Sequence, residues 1–150
     1  MTSNGNGNGA SANGAGRYQH DKVRVAIVGV GNCANSFVQG VHHYADASPD
    51  EPVPGLMHVD LGGYHVSDIE FTCAFDINKK KVGKDLAQAI WADPNNTIKF
   101  TNKVPKSLDA PVYRGMTHDG IGKYAAEKIT KAPGETADIV RILKETRTDV

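Results

Sequence analysis

The chain has no excess of either charge and no long apolar run, and these two absences exclude several classes of protein. Its 150 residues include 17 Lys plus Arg and 17 Asp plus Glu, which gives a formal net charge of zero. Because binding to a nucleic-acid backbone needs an excess of basic charge, a nucleic-acid partner is not expected. No apolar run reaches the ~18 residues of a membrane helix, and the N-terminus lacks the pattern of a signal peptide. We therefore expect a cytoplasmic protein without a membrane partner.

Cysteine is also scarce. Cys33 and Cys73 lie far apart in apolar surroundings, which argues against a disulfide framework and favours two buried thiols in a reducing compartment. The histidines at positions 42, 43, 58 and 65 do not follow a metal-ligand spacing, since adjacent side chains on a helix point in different directions. We expect no metal site.

The N-terminus differs in composition from the rest of the chain. Residues 1–16 contain no charged side chain, and nine of them are Gly or Asn. Such a segment buries too little apolar surface to offset the entropy lost on ordering. We predict a disordered tail over residues 1–16 and a folded domain over residues 17–150.

From residue 17 onward, strand and helix patterns alternate, as is typical of an α/β fold. Residues 23–29 and 69–76 are rich in β-branched and aromatic side chains and predict buried parallel strands. The apolar spacing predicts helices over residues 32–46, 82–94, 119–131 and 135–146, with Asn32 and Asn35 available as caps for the first. Residues 47–67 form an insertion with room for one hairpin.

The last residues, 148–150, match the start of a third parallel strand that is left unfinished. The expected fold is therefore a Rossmann-like α/β domain with a parallel sheet, incomplete at the C-terminus. We interpret residues 17–150 as the N-terminal part of a dinucleotide-binding domain whose substrate domain is absent from this chain. An open sheet edge predicts that the chain alone aggregates.

A glycine turn joins the first strand to the first helix. Gly29, Gly31 and Ala34 fit the pattern G-x-G-x-x-(G/A) in the context that the pattern requires. The first glycine makes a tight turn, the second lets the main chain approach a pyrophosphate, and the helix start supplies free N–H groups. The alternative is a strand–turn–helix that uses glycine only for its geometry.

Asp76 ends the second strand, where a carboxylate can accept hydrogen bonds from both ribose hydroxyls of an adenosine. It follows the glycine turn by more than the usual ~20 residues, and the insertion accounts for the excess. A carboxylate here repels the 2′-phosphate of NADP and so favours NAD, whereas Lys79, Lys80 and Lys81 could hold that phosphate. We interpret the three lysines as a solvent-facing helix surface.

Several further motifs, taken in order, resemble the short prokaryotic form of myo-inositol-phosphate synthase. They are residues 25–34, 53–59, 64–66, 74–76, 95–99 and 119–124, and the resemblance covers residues 22–150. It implies an isomerase of inositol and phospholipid biosynthesis. This enzyme converts D-glucose 6-phosphate to 1L-myo-inositol 1-phosphate (inositol 3-phosphate) by NAD-dependent oxidation, internal aldol cyclisation and re-reduction. It also implies a homo-oligomer, a tetramer at full length.

The resemblance implies NAD contacts at Gly29, Gly31, Asn32, Cys33 and Asp76. It adds Asp85 and Thr146, which the residue patterns do not support independently. Asp119 begins a Gly-containing motif that suits either a helix cap or a loop near a ligand. The family's catalytic lysines lie past Val150, so no catalytic residue is assigned, and the chain alone is expected to be inactive.

Two other classes of function remain open on the sequence. One is the NAD(P)-binding domain of a different dehydrogenase, or an adenosylmethionine-binding domain, because both place glycines after the first strand and an acid after the second. The other is a non-catalytic nucleotide-binding domain.

Overall fold

The computed structural model describes residues 22–118 and 120–150. The predicted tail, the predicted start of the domain at residue 17, and Asp119 lie outside the described residues. The elements, in chain order, are β1 (Val23–Val28), α1 (Asn32–His43), β2 (Asp60–Leu61), β3 (Tyr64–His65), β4 (Ile69–Asp76), α2 (Leu86–Ala89), β5 (Val112–Arg114), α3 (Lys123–Ala126) and α4 (Ile139–Glu145).

The main sheet is parallel, with the strand order β1-β4-β5. The two strands predicted from composition are β1 and β4. Residues 148–150 run along the other side of β1, where Val150 N–H donates to the oxygen of Arg24 at 3.1 Å and Ala26 N–H donates to the oxygen of Val150 at 2.8 Å. Residues 148–150 therefore lie beside β1 as the start of a further strand would, but they are not the third strand of the sheet in chain order, because β5 precedes them.

This arrangement makes β1 the point at which the strand order changes direction. The chain moves outward from β1 through β4 to β5 and then returns to the opposite side of β1. In open α/β sheets, ligands bind at such a switch point, outside the carboxyl ends of the strands. The topology thus predicts a ligand site at the segment that follows β1.

Apolar side chains cover both faces of the sheet. One face packs against α1 and α2 through a cluster that includes Val38, Phe71, Leu86 and Ile90. The opposite face packs Cys73 and Phe75 against Ile142 of α4. Coverage on both faces is the layer arrangement expected of a parallel sheet with crossover helices.

All four helices are shorter than predicted, α1 by three residues at its end and the other three by more. α2 spans only Leu86–Ala89 because Gly83, at φ 84°, interrupts the predicted helix and Asp85 then caps a new start, accepting a hydrogen bond from the N–H of Ala87. α3 is limited to Lys123–Ala126, and α4 begins after its N-cap Asp138. Apolar spacing of three and four residues recurs in consecutive turns as well as in helices, so it overestimated helix length here.

The insertion between α1 and β4 contains the antiparallel hairpin β2–β3, followed by a 3₁₀ helix at Val66–Asp68. His65 connects the hairpin to the segment that follows α1, since its Nε2 lies 2.9 Å from the oxygen of Ala47. Within the described ranges, no helix has the length and apolar character needed to cross a membrane.

Candidate functional site

A cavity of about 760 Å³ opens at the carboxyl ends of β1 and β4. Its lining includes Gly29, Gly31, Asn32 and Asp76, four of the residues expected to contact a cofactor. The volume falls within the range of small-molecule sites, and the position coincides with the switch point of the sheet.

The glycine turn leaves room for a ligand at the main chain. Gly29 adopts φ 89°, a left-handed conformation that favours glycine, and Gly31 is the N-cap of α1. A Cβ added at either position would meet no protein atom within 4 Å. A ligand could therefore approach the backbone of both glycines closely.

The start of α1 has no side-chain cap. Its first intrahelical bond is donated by the N–H of Asn35 to the oxygen of Gly31, at 3.0 Å. The N–H groups that precede it in the first turn have no acceptor within the helix, which is the arrangement that binds anions at helix starts. The expected caps Asn32 and Asn35 were wrong, because both side chains bond to other segments.

Asp76 lies where the sequence places it, at the end of β4 and on the cavity wall. Its Oδ2 accepts a hydrogen bond from the N–H of Val30 at 2.8 Å, and its Oδ1 accepts one from the N–H of Asn78 at 2.7 Å. Each carboxylate oxygen can accept more than one bond, so both retain capacity for a ligand hydroxyl. Asp76 also fixes the glycine turn, which sequence reasoning did not foresee.

Lys81 contradicts the interpretation of the lysines as a solvent-facing surface, since only 3 % of it is exposed. Residues 79–84 form turns and a bend, not a helix, and place this side chain against the main chain of the glycine turn. Its Nζ donates to the oxygen of Val30 at 2.5 Å and to Oδ1 of Asn95 at 2.8 Å. Burial lowers the pKa of Lys81, and the nearby charge of Asp76 opposes that effect.

The segment after Pro94 is the second contribution that sequence reasoning missed. Asn95 lines the cavity, and Asn96 exchanges two bonds with Asn32: its N–H donates to Asn32 Oδ1 at 2.9 Å, and Asn32 Nδ2 donates to Asn96 Oδ1 at 2.8 Å. In the sequence, this segment is marked by the consecutive polar residues at positions 95–97. They contribute to the family resemblance, but no function was assigned to them.

Cys33, Asp85 and Thr146 are not brought into the cavity lining. Cys33 is exposed on the first turn of α1, so the expectation of two buried thiols is wrong for it, although Cys73 is buried and both are free. Asp85 caps α2 and also accepts from the N–H of Leu108, while the hydroxyl of Thr146 donates to the oxygen of Ile142. Their cofactor contacts stay predictions.

The charged groups around the cavity offer no metal centre. Among residues 22–118 and 120–150, no group of three or more His, Cys, Asp or Glu side chains is placed to hold a metal ion. The polar groups of the cavity are instead main-chain N–H groups, one carboxylate, one buried ammonium and side-chain amides, a set suited to an organic ligand with phosphate and hydroxyl groups.

The chain shares extensive sequence with a set of named enzymes, although no protein-family model matches it. Over 129 residues it is 54% identical to the inositol-3-phosphate synthase of Mycolicibacterium smegmatis, and equally to that of Mycobacterium tuberculosis. The chain is a homologue of the inositol-3-phosphate synthases. The resemblance seen in the motifs is thereby confirmed.

The homology to these synthases covers 86% of this chain and 35% of each relative, so the chain spans about a third of their length. Wherever it begins, a stretch of 129 residues within 150 includes both the glycine turn and Asp76. Gly29, Gly31 and Asp76 of the cavity wall therefore lie inside the shared region.

Solved structures agree with the Rossmann-like α/β fold. The crystal structure of Ari2 is 28% identical and superimposes with a TM-score of 0.66 over 85% of this chain and 36% of that chain. A myo-inositol-1-phosphate synthase-related protein from Thermotoga maritima gives a TM-score of 0.56 at 20% identity, over 85% of this chain and 33% of its own. At that identity the second likeness shows the fold alone.

Proposed function

We propose that this chain is the N-terminal, NAD-binding part of an inositol-3-phosphate synthase. The complete protein would convert D-glucose 6-phosphate to 1L-myo-inositol 1-phosphate. The observation that carries this proposal is the 54% identity to the synthases, which extends through the glycine turn and Asp76. The tetramer that the resemblance implies is part of the proposal for the complete protein.

The residues at the cavity fit a dinucleotide. Gly29 and Gly31 present open main chain, and the uncapped start of α1 offers N–H groups and a partial positive charge to a pyrophosphate. Asp76 stands at the strand end with acceptor capacity for ribose hydroxyls. When bound, NAD would supply hydride transfer in both directions, so the overall reaction is an isomerisation.

The same carboxylate supports NAD over NADP. A 2′-phosphate on the adenosine ribose would place a second negative charge beside Asp76. Lys81, a basic side chain of the cavity lining, already donates to Val30 and Asn95. Lys80 is paired with Asp93 at 2.9 Å on the surface.

Thermal unfolding of the chain with each dinucleotide tests the cofactor proposal. NAD at a hundred times its dissociation constant is expected to stabilise the fold by ~2.7 kcal/mol, and the same concentration of NADP by clearly less. Asp76→Ala should remove the gain from NAD, whereas the change at the exposed Glu135, Glu135→Gln, should retain it. An unchanged NAD effect in Asp76→Ala would exclude the ribose role.

A chimeric enzyme tests the reaction. Residues 22–150 of this chain would replace the matching segment of the Mycolicibacterium smegmatis synthase, which supplies the remaining two thirds. With NAD and glucose 6-phosphate, the chimera is expected to form inositol phosphate, and the 150-residue chain alone is not. A chimera that binds NAD but forms no inositol phosphate would contradict the proposed reaction.

A further inference from the structure

Val30, the residue between the two glycines, is held at each of its backbone polar groups by a side chain from a distant segment. Its N–H donates to Oδ2 of Asp76 at 2.8 Å. Its oxygen accepts from Nζ of Lys81 at 2.5 Å and from Nδ2 of Asn95 at 3.0 Å. The side chain of Val30 is fully buried in the core beside α1.

These contacts offset the flexibility that the glycines introduce. Gly29 and Gly31 leave space for a ligand, but glycine also gives the backbone more conformations than any other residue. A binding loop that must be ordered by its ligand loses affinity through the cost of that ordering. Fixing both peptide groups around Val30 in advance would remove that cost.

The orientation of one peptide group connects the contacts to the cavity. In a trans peptide the C=O and N–H point in opposite directions, so holding the oxygen of Val30 also sets the direction of the N–H of Gly31. Lys81 and Asn95 hold that oxygen on the protein side, and Gly31 lines the cavity. The N–H of Gly31, which has no hydrogen-bond partner among the described residues, is therefore directed away from Lys81 and Asn95.

We propose that Lys81 and Asn95 are positioning residues that clamp the Val30–Gly31 peptide in its ligand-binding orientation. The cofactor part of this inference rests on the proposed function; the clamp itself does not. Lys81 is suited to the role because a charged donor gives a stronger hydrogen bond than a neutral one, and because a buried ammonium must keep its partners. The adjacent Lys79 and Lys80 are exposed and make no such contact.

Amide hydrogen exchange in the nucleotide-free chain tests whether the clamp holds the turn. The N–H of Val30 bonds to Asp76, and a turn that is released at the Val30 oxygen should open this bond more often. In Lys81→Met, exchange of the Val30 amide is expected to accelerate about tenfold, while that of Ala74, within β4, stays unchanged. Lys80→Met is the matched control, since it removes an exposed ion pair one residue away and should alter neither amide. Lys81→Arg, which retains a charged donor, should restore part of the protection.

Nucleotide affinity provides the second readout. Lys81→Met should bind NAD and ADP about tenfold more weakly and adenosine as the unchanged chain does, because adenosine has no pyrophosphate to contact the turn. A general loss of structure would instead weaken all three ligands. Lys80→Met should bind all three as the unchanged chain does.

The outcomes separate the clamp from the cofactor. If the unchanged chain fails to bind NAD, the proposed function fails, and Val30 exchange still decides the clamp. If Lys81→Met leaves Val30 exchange unchanged, the clamp is wrong whether or not NAD binds. If Lys81→Met unfolds the chain, so that Ala74 exchanges as fast as Val30, Asn95→Ala decides: selective acceleration at Val30 supports the clamp, and its absence overturns it.

Discussion

At Gly31, an added side chain would not disturb the fold but would enter the candidate ligand site. Its φ of −92° is open to any residue, and an added Cβ would meet no protein atom within 4 Å. The same open space belongs to the cavity, so the position is free for a side chain only while no ligand is present. Gly29 differs, because its φ of 89° lies in the left-handed region and any side chain there is strained.

Gly31→Ala should therefore fold normally and bind NAD poorly. We expect its free energy of unfolding to remain within ~1 kcal/mol of the unchanged chain, the usual size of an N-cap effect. Gly40→Ala is the control: it lies inside α1 with open space around it, should stabilise the helix by ~0.5–1 kcal/mol, and should leave NAD affinity unchanged. Urea unfolding and NAD titration measure both, and a Gly31→Ala chain with ordinary NAD affinity would contradict the site.

Among single residues, sequence reasoning identified those cavity-lining residues that a local pattern marks. Gly29, Gly31 and Asp76 were identifiable because a turn and a strand end leave a recognisable local pattern. Lys81 and Asn95 were not, because the carbonyl they share is 51 and 65 positions away in the chain. Such a contact depends on the tertiary fold, and no regular spacing between residues in the sequence predicts it.

Among the elements, α1 is connected to the segment after α2 by buried amides. Asn35 Nδ2 donates to the oxygen of Ile90 at 2.6 Å, and Gln39 Nε2 donates to Asn35 Oδ1 at 2.6 Å. Gln39 Oε1 then accepts from the N–H of Phe100 at 2.9 Å. The irregular segment that carries Asn95 is thus held in place by a helix, although it forms no strand or helix itself.

Gln39→Leu should destabilise the chain although it preserves the side chain's size. It would leave the N–H of Phe100 and Oδ1 of Asn35 without these bonds, and a buried polar group that loses its partner costs about 1–3 kcal/mol. Gln88→Leu, on the exposed side of α2, should stay within ~0.5 kcal/mol. Urea unfolding of the two variants decides, and equal stabilities would show that the amide chain contributes nothing.

The elements also show which patterns predict structure well. β1 and β4 matched their expected bounds to within one residue because β-branched and aromatic side chains recur along both. β1 is less buried than expected, since most of its residues are half-buried and Val28 is 85% exposed. β5 was missed, since only three residues beside Pro111 form it. Its place depends on pairing with β4, from Ala74 to Asp76, and local composition does not encode that pairing.

For the molecule as a whole, one ion pair makes stability depend on pH. Lys22 Nζ lies 2.9 Å from Oδ1 of Asp68 and links the residue before β1 to the 3₁₀ helix before β4. The hydrogen bond from Lys22, followed by one from the N–H of His65, lowers the pKa of Asp68. A lowered folded-state pKa gives stability that is present above the unfolded-state pKa and lost as pH falls through the folded-state value.

Asp68→Asn should therefore be less stable than the unchanged chain at neutral pH and should lose less stability on acidification. The difference between the two melting temperatures is expected to shrink as the pH falls through the range in which Asp68 becomes protonated. Thermal unfolding over a pH series measures this, with Asp60→Asn as an exposed control. A constant difference at every pH would mean that the charge of Asp68 is not the cause.

The edge beyond β1 governs how the whole molecule behaves with its neighbours. Residues 148–150 pair with β1 on one side, and Val150 is 76% exposed, with no further strand beside it in the described part of the chain. Unpaired strand edges carrying apolar side chains promote association, and a lysine on the edge opposes it.

We expect self-association in sedimentation velocity at ~100 µM. It should be reduced in Val150→Lys but not in Val140→Lys, which changes a comparably exposed valine on α4. Because the two substitutions add the same charge, an equal reduction in both would assign the effect to net charge, and a monomer at every concentration would remove the edge as a cause of association.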